Sequence, residues 1–195
     1  MSEPRPTVVI LAGPNGAGKS TVASALLLEA LAVDEFVNAD VIARGLSAFD
    51  PDRVAITAGR IMLARLHELA AQRADFAFET TLASRSFAPW LRGLRMSGYD
   101  LHLFFLWVPT VDVSISRVKD RVFRGGHNVP ETDLRRRYER SIRNFLQHYR
   151  HLADSWQLFD NSITPPLLIA RKDAGELSIM NKEYYELLID QFGND

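Results

Sequence analysis

The sequence predicts a single α/β domain, a three-layer sandwich in which helices cover both faces of a mainly parallel, five-stranded sheet. Three observations lead there. Short apolar, β-branched runs alternate with stretches of helical periodicity from residue 7 to about residue 160. Polar residues gather at the ends of those runs, as they do along the carboxyl edge of an open α/β sheet. And Gly13-Pro14-Asn15-Gly16-Ala17-Gly18-Lys19-Ser20, followed by Thr21, fits Gly-x-x-x-x-Gly-Lys-Ser/Thr and stands where a first strand meets a first helix.

Taken in order, Thr7 to Ala12 reads as a buried central strand and Thr21 to Leu31 as a helix with Val22, Ala25, Leu26 and Glu29 at helical spacing. Glu35 to Asp40 reads as a second strand with Asp40 at its polar tip. Asp50 caps a helix, with Pro51 at its first position, that runs to about Ala74 and buries Val54, Ala58, Ile61, Met62, Leu66 and Leu69. Phe76-Ala77-Phe78 is a third strand ending in Glu79-Thr80-Thr81. Ser86 to Met96 is a helix closed by Gly98, and Leu101 to Val108 is a fourth strand apolar enough to be covered on both faces. A helix from Thr110 breaks at Gly125-Gly126 and resumes after Pro130 to about His151, so that residues 117–132 form a small helical lid. Trp156 to Asp160 is the fifth strand. The tail, about 165–192, pairs Leu167–Arg171 with Glu176–Met180 in a hairpin and ends in a helix from Glu183 to Phe192.

Bulk composition narrows the chemistry. At 195 residues and 47% hydrophobic, the chain fits one domain with a proper core. A formal net charge of −1 argues against a general nucleic-acid surface. The absence of cysteine excludes disulfides, a thiolate nucleophile and cysteine-based zinc sites, and suits the cytoplasm. No apolar run is long enough to span a bilayer, so no membrane partner is expected.

The glycine-rich loop can turn tightly enough to aim several backbone N–H groups at a triphosphate such as ATP. Lys19 would reach the β and γ phosphates, Ser20 would offer its hydroxyl to Mg²⁺, and the helix dipole would add positive potential. Three strand ends would converge on the γ phosphate, bringing the loop, Asp40, and Glu79 with Thr81. A carboxylate there can take the proton of an attacking hydroxyl, although Asp40 could instead cap a turn or hold Mg²⁺ through water. Glu79 could equally be the structural partner of an arginine. Arg117, Arg121, Arg124, Arg135, Arg136, Arg137, Arg140 and Arg143 crowd the helix-break-helix region. Two or three should face the phosphates, the rest being solvated or paired with Glu131, Asp133 and Glu139. His148 and His151 read as a surface pair, Trp90, Trp107 and Trp156 as core or ligand wall, and Asp160-Asn161-Ser162 as the place for adenine contacts.

These residues together carry a resemblance. The loop alone is also similar to that of ABC-transporter nucleotide-binding subunits, but no Leu-Ser-Gly-Gly-Gln-like signature and no apolar strand ending in Asp-Glu accompanies it. With Asn38-Ala39-Asp40, Glu79-Thr80-Thr81, and Arg117-x-x-x-Arg121-x-x-Arg124-Gly-Gly-His127-x-Val-Pro130 before the Arg-Arg-Arg-Tyr helix, residues 7 to 162 resemble the zeta-toxin-like P-loop kinases. The resemblance implies transfer of the γ-phosphate of ATP, with Mg²⁺, to a hydroxyl of a UDP-amino sugar such as UDP-N-acetylglucosamine. It implies Asp40 as general base, Lys19 as phosphate clamp, Asn38, Glu79 and Thr81 on the substrate, and Arg121 and Arg124 as lid arginines, with Arg117 as a substitute one turn earlier. It leaves open a separate antitoxin partner. A kinase for a nucleoside, nucleotide or sugar acid, and an ATP-hydrolysing switch protein, stay open as alternatives.

Overall fold

In the computed structural model, residues 5–24, 33–123 and 129–193 are described. Strands β1 (Thr7–Ala12), β2 (Phe36–Val37), β3 (Phe76–Thr80), β4 (Asp100–Trp107), β5 (Ser155–Asp160), β6 (Leu167–Asp173) and β7 (Glu176–Ile179) form one sheet in the order β2-β3-β1-β4-β5-β6-β7. The first five run parallel. β6 and β7 continue the sheet antiparallel, so the hairpin anticipated in the tail extends the five parallel strands to a mixed sheet of seven. Its register against β5, Leu158 opposite Ala170, brings Ile169 and Ala170 into the core.

The helices are α1 (Lys19–Ser24), α2 (Ala39–Leu46), α3 (Ala55–Ala71), α4 (Phe87–Met96), α5 (Val111–Phe123), α6 (Glu131–Asn144), α7 (Arg150–Leu152) and α8 (Lys182–Phe192). A π turn, Phe145–Tyr149, joins α6 to α7. Because side chains alternate across a strand, β1 sends Val8, Ile10 and Ala12 to one face and Val9 and Leu11 to the other. The first face holds the larger core, with Met62 and Leu66 of α3, Leu91 of α4, Ile142 of α6 and Leu188 of α8. The second gathers Ala17, Ala23, Phe104 and Leu106.

Several expectations shift. The second strand is two residues, not six, because Asn38 ends it: its side chain accepts from the backbone N–H groups of Asp40 and Val41 and caps α2. Asp40 is therefore a first-turn helical residue rather than a strand tip. On α3 the buried stripe is Ala58, Met62, Leu66 and Leu69, whereas Ile61 is exposed. His148 is half-buried rather than at the surface, Trp107 and Trp156 are core residues, and Trp90 packs against the core. The first helix beyond Ser24, together with Arg124 and the lid tip Gly125-Gly126-His127-Asn128, lies outside the described residues.

Candidate active site

The parallel order places the carboxyl ends of β2, β3 and β1 side by side, and a cleft of about 910 Å³ opens above them. The glycine-rich loop forms its floor. Gly16 (φ +77°) and Gly18 (φ +83°) take left-handed conformations, and a Cβ on either would collide with a neighbour, the Ser114 carbonyl for Gly16 and the Asn161 amide for Gly18. Those two neighbours brace the loop. The Ser114 hydroxyl of α5 donates to the Asn15 carbonyl, and Asn161 Nδ2, just after β5, donates to the Ala17 carbonyl at 2.7 Å. Asn15, Gly16, Gly18, Lys19, Ser20 and Thr21 line the cleft, while Gly13, Pro14 and Ala17 are buried beneath.

Lys19 is buried, and its ammonium donates to the Gly13 and Pro14 carbonyls at 2.9 and 3.0 Å. Burial holds its pKa below the usual 10.5 of lysine; the negative charges of Glu79 and then Asp40 oppose this, and the positive charge of Arg121 adds to it. Glu79 is the hub of the polar floor. Its carboxylate accepts from the Ser20 hydroxyl at 2.8 Å and from Asn38 Nδ2 at 2.7 Å, and lies 3.7 Å from Lys19 Nζ. Its cationic partner is thus the loop lysine rather than an arginine.

Asn38 spends both ends of its amide inside the protein, capping α2 with its oxygen and holding Glu79 with its nitrogen. It also lines the cleft wall, where the sequence reading places it against the substrate. That cap leaves Asp40 exposed at the start of α2 and facing the cleft. Thr81 lines the same side, with Met62 and Phe87 as apolar neighbours.

The arginines sort by helix phase. Arg117, Arg121 and Arg137 line the cleft. Arg135 pairs with Glu131 and Asp112, and Arg136 with Asp133. The Arg117 guanidinium also donates to the carbonyls of Asn161 at 2.8 Å and Ser162 at 3.3 Å, which ties α5 to the loop after β5. That loop is further fixed by Asp160, whose buried carboxylate accepts from the backbone N–H and the hydroxyl of Ser162. Arg137 was visible in the sequence only as one of three consecutive arginines. The buried Leu134, Tyr138 and Ser141 set which of the three faces inward.

A glycine-rich loop, a lysine–carboxylate floor, a facing aspartate and cleft-lining arginines on two helices make up a site of the P-loop kinase fold class. The comparisons narrow the class. The Zeta toxin family model matches residues 1–181, and the chain belongs to that family. An uncharacterized protein of Haemophilus influenzae (strain Rd) is 30% identical over 130 residues, 67% of this chain and 91% of that protein. Among solved structures, AvrRxo1-ORF1:ORF2 with ATP superposes at a TM-score of 0.77 with 19% identity, over 95% of this chain and 64% of the other. The chain therefore spans less than two thirds of that relative's length. The PezAT toxin–antitoxin system of Streptococcus pneumoniae matches over 100% of this chain and 90% of its own, at a TM-score of 0.63 and 14% identity. These likenesses establish the fold. Among the described residues, no helix is long and apolar enough to cross a membrane.

Proposed function

We propose that the chain transfers the γ-phosphate of ATP to a hydroxyl of a UDP-amino sugar such as UDP-N-acetylglucosamine. The observation that carries the reading is the shared cleft: Lys19, Ser20 and Glu79 on the nucleotide floor, with Asp40 and Thr81 on the wall beside them. The acceptor hydroxyl loses its proton to the Asp40 carboxylate as its oxygen bonds to the γ phosphorus, and the bond from that phosphorus to the bridging oxygen breaks to release ADP. Lys19 turns from its loop carbonyls to the β and γ phosphates, and Arg121 and Arg137 meet the charge on the equatorial oxygens. The family resemblance assigns Arg124 to the same task.

The donor chemistry of the floor fits Mg²⁺. The Ser20 hydroxyl and the Glu79 carboxylate are hard oxygens 2.8 Å apart, and among the described residues no cluster of three or more His, Cys, Asp or Glu side chains could cage a metal. Mg²⁺ usually relies on one or two protein oxygens, water and substrate phosphates. Ser20 would ligate it directly, with Glu79 beside it, and it would neutralise charge between the β and γ phosphates. The adenine end is assigned to the loop Asp160-Asn161-Ser162, a reading supported by the bond from Asn161 to the Ala17 carbonyl of the glycine-rich turn. The family also makes a separate antitoxin a partner to test by co-purification.

Incubation with Mg²⁺, γ-labelled ATP and a panel of UDP-sugars, nucleosides and sugar acids tests the reading. Label on a UDP-amino sugar is expected. Label on another acceptor would keep the kinase and discard the substrate, and ADP release without any labelled acceptor would favour a switch ATPase.

A further inference from the structure

Helix α6 and the π turn after it spend buried polar side chains on one short loop, residues 81–85, which leads from the cleft wall to α4. The Ser141 hydroxyl donates to the Thr81 carbonyl, Asn144 Nδ2 to the Leu82 carbonyl at 2.7 Å, and the Tyr149 hydroxyl to the Ser84 carbonyl at 2.7 Å. Asn144 Oδ1 also accepts from Arg85 Nε at 3.2 Å. Ser141, Asn144 and Tyr149 are 0%, 6% and 1% exposed. Packing alone would be served as well by apolar residues, and each buried polar group left without its partner would cost about 1–3 kcal/mol.

The loop they hold is not one the chain adopts freely. Leu82 has φ +53°, a left-handed conformation that costs a residue with a Cβ roughly 1–2 kcal/mol. The π turn belongs to the same device. In a regular α-helix Tyr149 would lie about 80° around the axis from Ser141. The wider turn at Phe145–Tyr149 reduces that rotation, so both hydroxyls meet the same loop. About one turn before Ser141 on α6, the Tyr138 hydroxyl donates to the Val108 carbonyl at 2.7 Å and accepts from Trp107 Nε1 at 3.2 Å. Arg137 adjoins this tie and lines the cleft with Thr80 and Thr81.

We propose that Ser141, Asn144 and Tyr149 are positioning residues for the acceptor: they fix the loop that carries Thr81, and they set Arg137 against it, so that α6 is a strut and not a moving part of the lid. The inference rests on the kinase reading, with the acceptor on the Thr81 side of the cleft. Removing a rung should loosen the acceptor wall and leave the nucleotide floor intact, because no rung touches the glycine-rich loop.

The test uses Tyr149→Phe and Ser141→Ala, singly and combined, with UDP-N-acetylglucosamine and γ-labelled ATP as probes and amide hydrogen exchange over the whole chain. The double variant should raise the KM for the acceptor about tenfold, the loss of two hydrogen bonds of ordinary worth, with the KM for ATP within about twofold. Exchange should quicken at the 82–85 amides and stay unchanged at 13–20. Equal changes in both KM values, or a fall in kcat that only tracks the folded fraction, would overturn the proposal. If the wild type leaves UDP-N-acetylglucosamine unlabelled, the substrate reading has failed separately. Exchange then decides: unchanged protection at 82–85 in the double variant overturns the strut, and selective loss there supports it.

Discussion

Glu79→Gln isolates the floor of the cleft. The substitution keeps the shape of the side chain and removes its charge. Glu79 accepts from two donors and lies 3.7 Å from a lysine that is only 6% exposed, its own side chain being 12% exposed. Breaking one side of a buried ion pair costs about 3–5 kcal/mol, because the remaining charge stays buried without its partner. Part of that cost is offset, since Lys19 keeps its bonds to the Gly13 and Pro14 carbonyls and the glutamine oxygen can still accept from Ser20 or Asn38. A net loss of roughly 2–3 kcal/mol is expected, or about 5–10 °C in melting temperature for a domain of this size. Urea denaturation followed by circular dichroism measures it, with Glu68→Gln as the control. Glu68 pairs with Arg65 at the surface, so its loss should cost at most about 1 kcal/mol. Equal destabilisation by the two substitutions would refute the claim that a buried lysine–carboxylate pair organises the site.

Two further outcomes follow from other contacts. Arg117→Met should raise the KM for ATP about tenfold and change kcat little, because its two bonds to the loop after β5 are charge-assisted and worth about 1.5–3 kcal/mol together; Arg121→Met should lower kcat instead, and steady-state kinetics separates the two. Burial pushes Tyr138 and Tyr149 up to about 12. Their folded pKa values therefore exceed the ordinary 10.0, and the unfolded chain loses these protons first. Stability from this source is complete below pH 10 and falls as pH rises through about 12. Burial raises Tyr99 as well, so ultraviolet titration should show Tyr138 and Tyr149 among the late-ionising phenols, and Tyr149→Phe should remove one phenol from that late group.

Much of this architecture is local and could be read from the sequence. The run Thr7–Ala12 and the glycine-rich turn after it are fixed by neighbours in the chain, and the observed β1 has the same bounds. Glu79 and Thr81 end up beside the loop because alternating strands and helices bring the strand ends to one edge. Other features depend on contacts remote in sequence. The two-residue β2 is too short for a period to establish, and the signal that ends it, an asparagine cap, was masked by the apolar Phe36-Val37. The hairpin was legible but its pairing with β5 was not, because strand turns specify local register and not the partner sheet edge. Arg117 and Arg121 share a helix face and both line the cleft, so spacing alone could not tell which of them anchors the loop after β5. The carbonyls of Asn161 and Ser162, some forty residues away, make that distinction.

The central claim is that the Asp40 carboxylate, held at the start of α2 and facing the cleft, removes the proton of the acceptor hydroxyl. Asp40→Asn keeps the shape and the capped helix start, since Asn38 bonds the backbone N–H of residue 40 and not its side chain. The most direct measurement is the rate of label transfer from γ-labelled ATP in this variant, beside its affinity for ATP by calorimetry. The account predicts ATP affinity within about twofold of the wild type and transfer slower by about 10²–10⁴-fold. Transfer at the wild-type rate with ATP still bound would contradict it.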